Sequence, residues 1–376
     1  MKGGVRLVSE ETSMEEPRPC GVTVGGGVVY VERLRDRVLV VEPETGVVEV
    51  VAGGRRGCRD GQRKTARFAF PSSGFVEGRS LVVADRDNGR LRCVDLETGA
   101  VETMAVFAAG VRPCGVFRCR EDLYATISDD KEGARAIVKI DEQGPYNVAG
   151  DLRDKKKKGF PDGPGFLARF SLIYDVAVSS KDVVYIADGN RVRTFDPRNH
   201  RVHTVAGSTE SGFRDGPARR ALFETIRGIA VDNDGTIYVA DFANDRIRKI
   251  QHNHVSTLLF DNKNDDNDEN DDNKDHRSHH TDKKKTIVWP NSLALDDHRG
   301  RLYVGTGDNL LLSLEVPSFQ QRKNRRIQSL QLLFWLAQRN RAFLLPQPKP
   351  LHRLLEFLIA TPAAHDILYS VLDFAF

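Results

Sequence analysis

Cysteine is scarce in this 376-residue chain: there are five, at Cys20, Cys58, Cys93, Cys114 and Cys119. They are odd in number and lack the paired spacing of a zinc site. Cys114 and Cys119 are near enough in sequence to pair, but scattered, reduced and buried thiols fit the pattern better and suit an intracellular, cytoplasmic protein. Long apolar runs are missing as well. Met1 to Pro19 holds no apolar stretch beside its charges, so no secretory leader is expected. Near the other end, Gln338-Arg339-Asn340-Arg341 interrupts one apolar run, and Glu356, His365 and Asp366 fall in the later ones, which argues against a transmembrane helix. An excess of one charge is absent too. The net charge is +3, and it is unevenly spread: residues 261–275 carry −6, residues 276–285 +3 and residues 317–376 +5. The remaining body is close to neutral, which is not the electrostatic footprint of a committed nucleic-acid binder, and no DNA partner is expected.

What the chain does contain is a repeat. Gly57-Cys58-Arg59-Asp60-Gly61 is followed by Ala66-Arg67-Phe68, Gly159-Phe160-Pro161-Asp162-Gly163 by Ala168-Arg169-Phe170, and Gly212-Phe213-Arg214-Asp215-Gly216 by Ala221-Leu222-Phe223. The copies are one or two periods of about 50 residues apart, the mark of a repeat architecture. Val-Ala-Gly closes units at Gly53, Gly150 and Gly207. Within the clearest unit, Gly228–Asp232, Thr236–Asp241, Arg246–Ile250 and Val255–Leu259 read as four short strands. Asp234-Gly235 supplies the positive φ a tight hairpin needs, and the Val/Ile/Tyr/Thr runs fit a pleated surface. Repeated four-stranded antiparallel units describe propeller blades. Six inner strands are expected near Gly21, Gly74, Gly115, Asp175, Gly228 and Ser292. The last unit has only three strands before Pro317, and Gly4–Ser9 at the start of the chain is a spare strand that would complete it.

The unit built from Asp232-Asn233-Asp234-Gly235, Ile237-Tyr238-Val239-Ala240-Asp241, Asn244 and Arg246-Ile247-Arg248-Lys249 resembles the NHL repeat. The resemblance covers residues 4–316, more closely in units two, four and five than in one, three and six. It implies an all-β, six-bladed NHL-type β-propeller over 4–316, its N-terminal strand closing the last blade. Residues 317–376 form a C-terminal α-helical appendage: Gln320–Leu345, Leu351–Ala360 and a third helix opened by Thr361-Pro362. These helices are candidates for docking or oligomerisation. The stretch 261–285, rich in Asp, Asn, Lys and His, has too little apolar surface to order itself and lacks the spacing and glycine of a calcium loop.

Enzymes of related fold hold metal through His, Asp, Glu or Asn at the channel mouth. The six inner-strand segments contain no His and one Asp, Asp175. No catalytic residue, metal site or cofactor is therefore expected. The turns Asp85–Asn88 and Asp241–Asn244 read as side chains capping their own backbone, and the link motifs as Asp-capped turns whose aromatic ring wedges between blades. Lys155–Lys158 reads as a solvated loop. Function then falls to the loop rim, where residues at the inner-strand entries (Pro19, Ser73, Pro113, Tyr174, Arg227, Asn291) gather around the channel. Tyr174, Asp175, Arg227, Phe242, Asn244 and Asn291 are the binding candidates, with Tyr, Arg and Phe the residue types that anchor interfaces. The expected role is a protein-interaction scaffold, its partner unnamed. Single-stranded RNA on a basic rim is the alternative, and a metal-dependent lyase or hydrolase is third.

Overall fold

Among the described residues, the apolar, β-branched runs of the repeat become strands of small antiparallel sheets. The computed structural model describes residues 5–10, 19–25, 28–33, 36–129, 134–151, 161–258, 287–307, 310–318 and 320–324. Among these residues there are six sheets, and their innermost strands are Pro19–Gly25, Pro71–Glu77, Val111–Cys119, Ile173–Val178, Ile226–Val231 and Pro290–Asp296. We number the sheets one to six in that order. In sheets one to five the four main strands run outward in chain order. Every inner strand touches the next, and Pro290–Asp296 touches Pro19–Gly25. The result is a β-propeller arrangement around a channel. Sheet six closes as expected: its outer edge is Val5–Glu10, antiparallel to Leu310–Glu315 with Val5 opposite Leu314 and Glu10 opposite Leu310.

The core is divided among the gaps between sheets. Six buried clusters lie there, one per neighbouring pair: Phe117, Tyr124 and Ile137 of sheet three, for example, meet Ile186 and Phe195 of sheet four. The Val-Ala-Gly signature has a steric origin. Gly207 has φ +82°, and a Cβ there would stand 2.3 Å from the Asn190 carbonyl oxygen, so only glycine fits without strain.

The link motifs are more than turns. Gly61–Gln62, Gly163–Pro164 and Gly216–Pro217 add a short fifth strand to the outer edges of sheets two, four and five. In those same sheets an arginine on the third strand, Arg92, Arg193 or Arg248, is fully buried. Each pairs inward with a fully buried carboxylate, Asp85, Asp188 or Asp241, at 2.7–3.0 Å. Each also pairs outward with the link aspartate, Asp60, Asp162 or Asp215, at 2.5–3.2 Å. The guanidinium lies over the Phe of the Ala-x-Phe element, about 5 Å from the ring centre of Phe68, Phe170 or Phe223. The link aspartates additionally accept backbone N–H bonds from Thr103, Thr204 and Thr257. Burial pushes the carboxyls of Asp60, Asp162 and Asp215 up, but the threonine hydrogen bonds and the arginine outweigh it and hold them below the ordinary aspartate value. For Asp85 and Asp241 burial wins and the carboxyl is pushed up. Among the described residues, sheets one, three and six have no link strand, and at the matching register position they carry Leu39, Val138 and Leu312.

Three expectations change in detail. Asp85 and Asp241 do not cap their own turns; they accept the Ala69 and Glu224 backbone N–H groups and hold the buried arginines. Phe213 of the third link does not wedge between sheets. It is 55% exposed and lies over Arg248 at 4.7 Å. Nor are the thiols uniformly buried: Cys58, Cys93, Cys114 and Cys119 are all free, but only Cys119 is buried, and that burial pushes its thiol up.

Residues 317–376 form a separate unit. Its described part is the start of a helix at 320–324, opened by a capping box in which Gln321 N donates to Ser318 Oγ and Ser318 N donates to Gln321 Oε1. The insertion at 261–285, Lys155–Lys158 and the three-helix reading of the tail beyond 324 lie outside the described residues. No helix among the described residues is long and apolar enough to cross a membrane.

Candidate functional site

All six inner strands break register near their start, after the first residue in five of them and after the third in sheet three. The shifts fall between Pro19/Gly21, Pro71/Gly74, Pro113/Gly115, Ile173/Asp175, Ile226/Gly228 and Pro290/Ser292. A bulge leaves one residue out of the ladder and re-aims its side chain. In sheets three to six the extra residues are Cys114, Tyr174, Arg227 and Asn291, and in sheet two the shift releases Ser72 and Ser73. The strands resume on residues that must be small where neighbours crowd: a Cβ on Gly228 would sit 2.9 Å from Ser292 Cα.

The re-aimed residues make a pocket of about 420 Å³ at the channel mouth. Tyr174, Arg227 and Asn291 line it with Ser72, Cys114 and Ser128. Phe70, Leu172 and Ile173 form an apolar collar, and Arg86 and Arg135 add positive charge. Arg227 is the centre of the arrangement. Its guanidinium lies 3.5 Å from the ring centre of Phe242 and 5.5 Å from that of Tyr174, and Nη1 donates to Asn291 Oδ1 at 3.2 Å. A guanidinium held against aromatic faces is fixed in one plane. Ser72 Oγ donates to the Cys114 carbonyl at 2.9 Å, tying sheets two and three. On the same rim one carboxylate, Asp87, lies within 3.4 Å of Arg56, Arg86 and Arg112.

Four of the six sequence candidates thus meet: Tyr174, Arg227, Phe242 and Asn291. The other two are placed elsewhere. Asn244 donates to the Gly212 carbonyl and to Asp241, inside the framework just described. Asp175 faces the channel below the mouth, a space of about 280 Å³ lined by all six inner strands. It takes the position glycine holds in sheets one, two, three and five, and its carboxylate accepts the Ile229 N–H of the next inner strand and its own Val176 N–H. Ser73 likewise lines the channel while its neighbour Ser72 lines the mouth, because the sheet-two shift spans an extra residue. The contributions of Phe70, Arg86, Arg135 and Ser128 were not legible in the sequence. Phe70 and Arg86 adjoin strands of sheet two, Ser128 and Arg135 are cross-strand partners in sheet three, and it is the packing of one sheet on the next that brings the two pairs to one mouth.

Burial pushes the Asp175 carboxyl up to about 7, against the pull of its two backbone hydrogen bonds. Between the unfolded value near 4 and that value the folded chain holds the extra proton, so this group's contribution to stability falls as pH rises through the window. Asp175→Asn should remove that slope. Relative to wild type, the variant gains about 1–2 kcal/mol on going from pH 4.5 to pH 7.5, a figure reduced for the water that reaches the channel. Urea midpoints of both proteins at both pH values test this, and an unchanged difference between them refutes it.

With this geometry in view, comparisons with known proteins are informative. The NHL repeat model matches residues 223–250. That segment runs from buried Phe223 through the inner strand, the Asp241–Asn244 turn and Arg248 to Ile250. The chain carries an NHL repeat. Among curated proteins, Protein SUPPRESSOR OF QUENCHING 1, chloroplastic, of Arabidopsis thaliana is 26% identical over 215 residues, taking in 55% of this chain and 16% of that protein. The chain thus spans about a sixth of that relative's length. Among solved structures, a Bacteroides thetaiotaomicron structural-genomics protein of unknown function aligns with TM-score 0.59 at 15% identity, over 83% of this chain and 76% of that one. A Xanthomonas campestris gluconolactonase aligns with TM-score 0.55 at 12% identity, over 83% and 89%. The calcium-binding protein regucalcin from Agrobacterium tumefaciens gives 0.53 at 15%, over 82% and 93%. At these identities the likeness is one of fold. Among the described residues of this NHL-repeat chain, no group of three His, Cys, Asp or Glu is placed to hold a metal ion.

Proposed function

We propose that the chain is a non-enzymatic interaction scaffold, a six-bladed NHL-type propeller with each of its six sheets counted as one blade. A protein partner would sit on the rim around Arg227. The observation that carries this reading is the preorganised guanidinium of Arg227, held by Tyr174, Phe242 and Asn291 over the mouth pocket. Arginine and aromatics fixed in one geometry lose little entropy on binding, which is why such groups anchor interfaces. The channel supports a binding role over chemistry, since Asp175 is the one carboxylate among its described lining residues.

RNA binding is the second reading, favoured by three arginines at a mouth that also carries Phe70, Tyr174 and Phe242. The rim is mixed in charge, with Asp87 among its arginines and Asp245 accepting the Trp289 N–H, and this supports a protein partner first. A cytoplasmic setting belongs to the same proposal. The free thiols of Cys58, Cys93, Cys114 and Cys119 suit a reducing compartment; the name of the Arabidopsis relative assigns that protein to the chloroplast.

The experiment is a pull-down with tagged wild type and Arg227→Ala, each with and without RNase. Proteins retained after RNase by wild type and lost at least tenfold by Arg227→Ala, with the urea midpoint unchanged, are the expected result. Retention that vanishes with RNase alongside enriched transcripts puts RNA first and sinks the scaffold reading.

A further inference from the structure

We propose that the outer edge of sheet one is a docking strand, which pairs with an extended segment of a partner protein carrying a glycine, a neutral hydrogen-bond acceptor before it and basic flanks. This surface is separate from the rim around Arg227 and the proposal does not rest on that rim. The outer strand, Val48–Gly53, is antiparallel to Arg37–Val41, with Val48 opposite Val41 and Val50 opposite Leu39. Among the described residues no strand pairs with its outer side. Its first half is open: Val48 is 40% exposed, Val50 42%, and Glu49 between them is exposed too. The repeat shows what such an edge takes. In sheets two, four and five the register position of Val48 is held by Val101, Val202 and Val255, which are only 0–1% exposed. On the outer side of each stands a link glycine, Gly61, Gly163 or Gly216. Two residues on, the N–H of Thr103, Thr204 or Thr257 donates to the link aspartate. Val50 has that register position in sheet one, so its N–H points out of the ladder.

The chain has spent its own link elsewhere. Residues 63–70, 165–172 and 218–225 separate the three link strands from their inner strands, and residues 11–18 separate Glu10 from Pro19 in the same way. The segment at the link's place in unit one is therefore Ser9-Glu10, and it pairs with Leu311 and Leu310 to close sheet six. Sheet three also lacks a link strand among the described residues, but there Pro145 holds the position of Val48, opposite Ile140. Proline offers no N–H to an incoming strand and blunts an edge. Sheet one presents valines instead, and adding a strand to such an edge is a general mode of peptide recognition.

The occupant's chemistry follows from what differs between the edges. Sheet one has buried Leu39 where the linked sheets have their arginine, so an aspartate before the glycine would lack its cation. Asn, Ser or Thr can accept the Val50 N–H without leaving a charge unpaired. Glu49 is the one charged residue of the strand, and it favours Lys or Arg across the edge. The same glutamate disfavours a second copy, because two identical antiparallel edges bring like charges together.

The test is fluorescence anisotropy on the full chain, with a labelled, end-capped peptide Lys-Thr-Asn-Gly-Gln-Val-Lys and the same peptide with sarcosine for glycine. The glycine peptide should bind at submillimolar concentration, and the sarcosine peptide, which loses one ladder N–H, about fivefold or more weakly. Val50→Pro removes the edge N–H and should weaken the glycine peptide by about fivefold or more with the urea midpoint unchanged. Glu49→Lys, at an exposed position, should weaken it too and strengthen a Glu-flanked counterpart. No binding at millimolar concentration, equal binding of the two peptides, or affinity indifferent to both substitutions each overturns the proposal. A concentration-dependent dimer in sedimentation that Val50→Pro abolishes overturns it as well, by giving the edge to a second copy.

Discussion

Replacing Arg248 with leucine should destabilise the propeller by about 3–5 kcal/mol, as expected when one partner of a buried ion pair is removed. The arginine is fully buried and donates to Asp241, to Asp215 and to the carbonyls of Leu222 and Arg214. Without it, Asp241 stays fully buried, with the Glu224 N–H and the Asn244 amide as its remaining hydrogen bonds. The carbonyls of Arg214 and Leu222 each lose one donor at the same time and keep the backbone N–H that each receives from the other residue. The outward partner matters less: Asp215 is 40% exposed, so Asp215→Asn should cost about 1 kcal/mol. Sheet six shows a solution without charge, having Leu312 and buried Thr306 where sheet five has Arg248 and Asp241. The double variant Arg248→Leu/Asp241→Thr should therefore recover at least half of the loss. Urea unfolding of the three variants decides it. A loss under 1 kcal/mol for Arg248→Leu would show that the network is decorative.

Deleting residues 1–10 should open the ring at a cost of about 3–5 kcal/mol, a handful of ladder hydrogen bonds at about 1 kcal/mol each. The deleted strand is the outer edge of sheet six and pairs with Leu310–Glu315 along its length. Its removal leaves that strand as an unpaired edge, beside Leu311, Leu312 and Leu314, which are buried in the intact chain. Exposed edges of this kind associate. The truncated chain should therefore have a lower urea midpoint and form concentration-dependent oligomers in sedimentation, and a synthetic peptide of residues 1–12 should reverse both. A monomeric truncated chain with an unchanged midpoint would remove ring closure from the account of stability.

The repeat, the strand runs, the closing strand and the rim were all legible in the sequence. Strands of this fold are local, their turns are marked by Asp-Gly and Gly, and each unit repeats the same pattern. Tyr174, Arg227 and Asn291 were found because a repeat projects equivalent positions onto one face. The buried arginines left a signal that only the structure explains: each follows its link aspartate by 31 to 33 residues, a distance that means nothing until the link strand folds back onto the sheet's outer edge. Asn244 was read as a binding residue because a polar turn side chain looks the same in sequence whether it faces solvent or a neighbouring carbonyl.

By itself, then, the sequence determined the blades, because side-chain alternation and turn chemistry act over a few residues. Only the tertiary structure decided the site. The bulges that turn Cys114, Tyr174, Arg227 and Asn291 toward the mouth, and the arrival of Arg86, Arg135 and Phe70 beside them, depend on one sheet packing on the next around the ring. No stretch of sequence encodes the distance between residues that this packing alone makes neighbours.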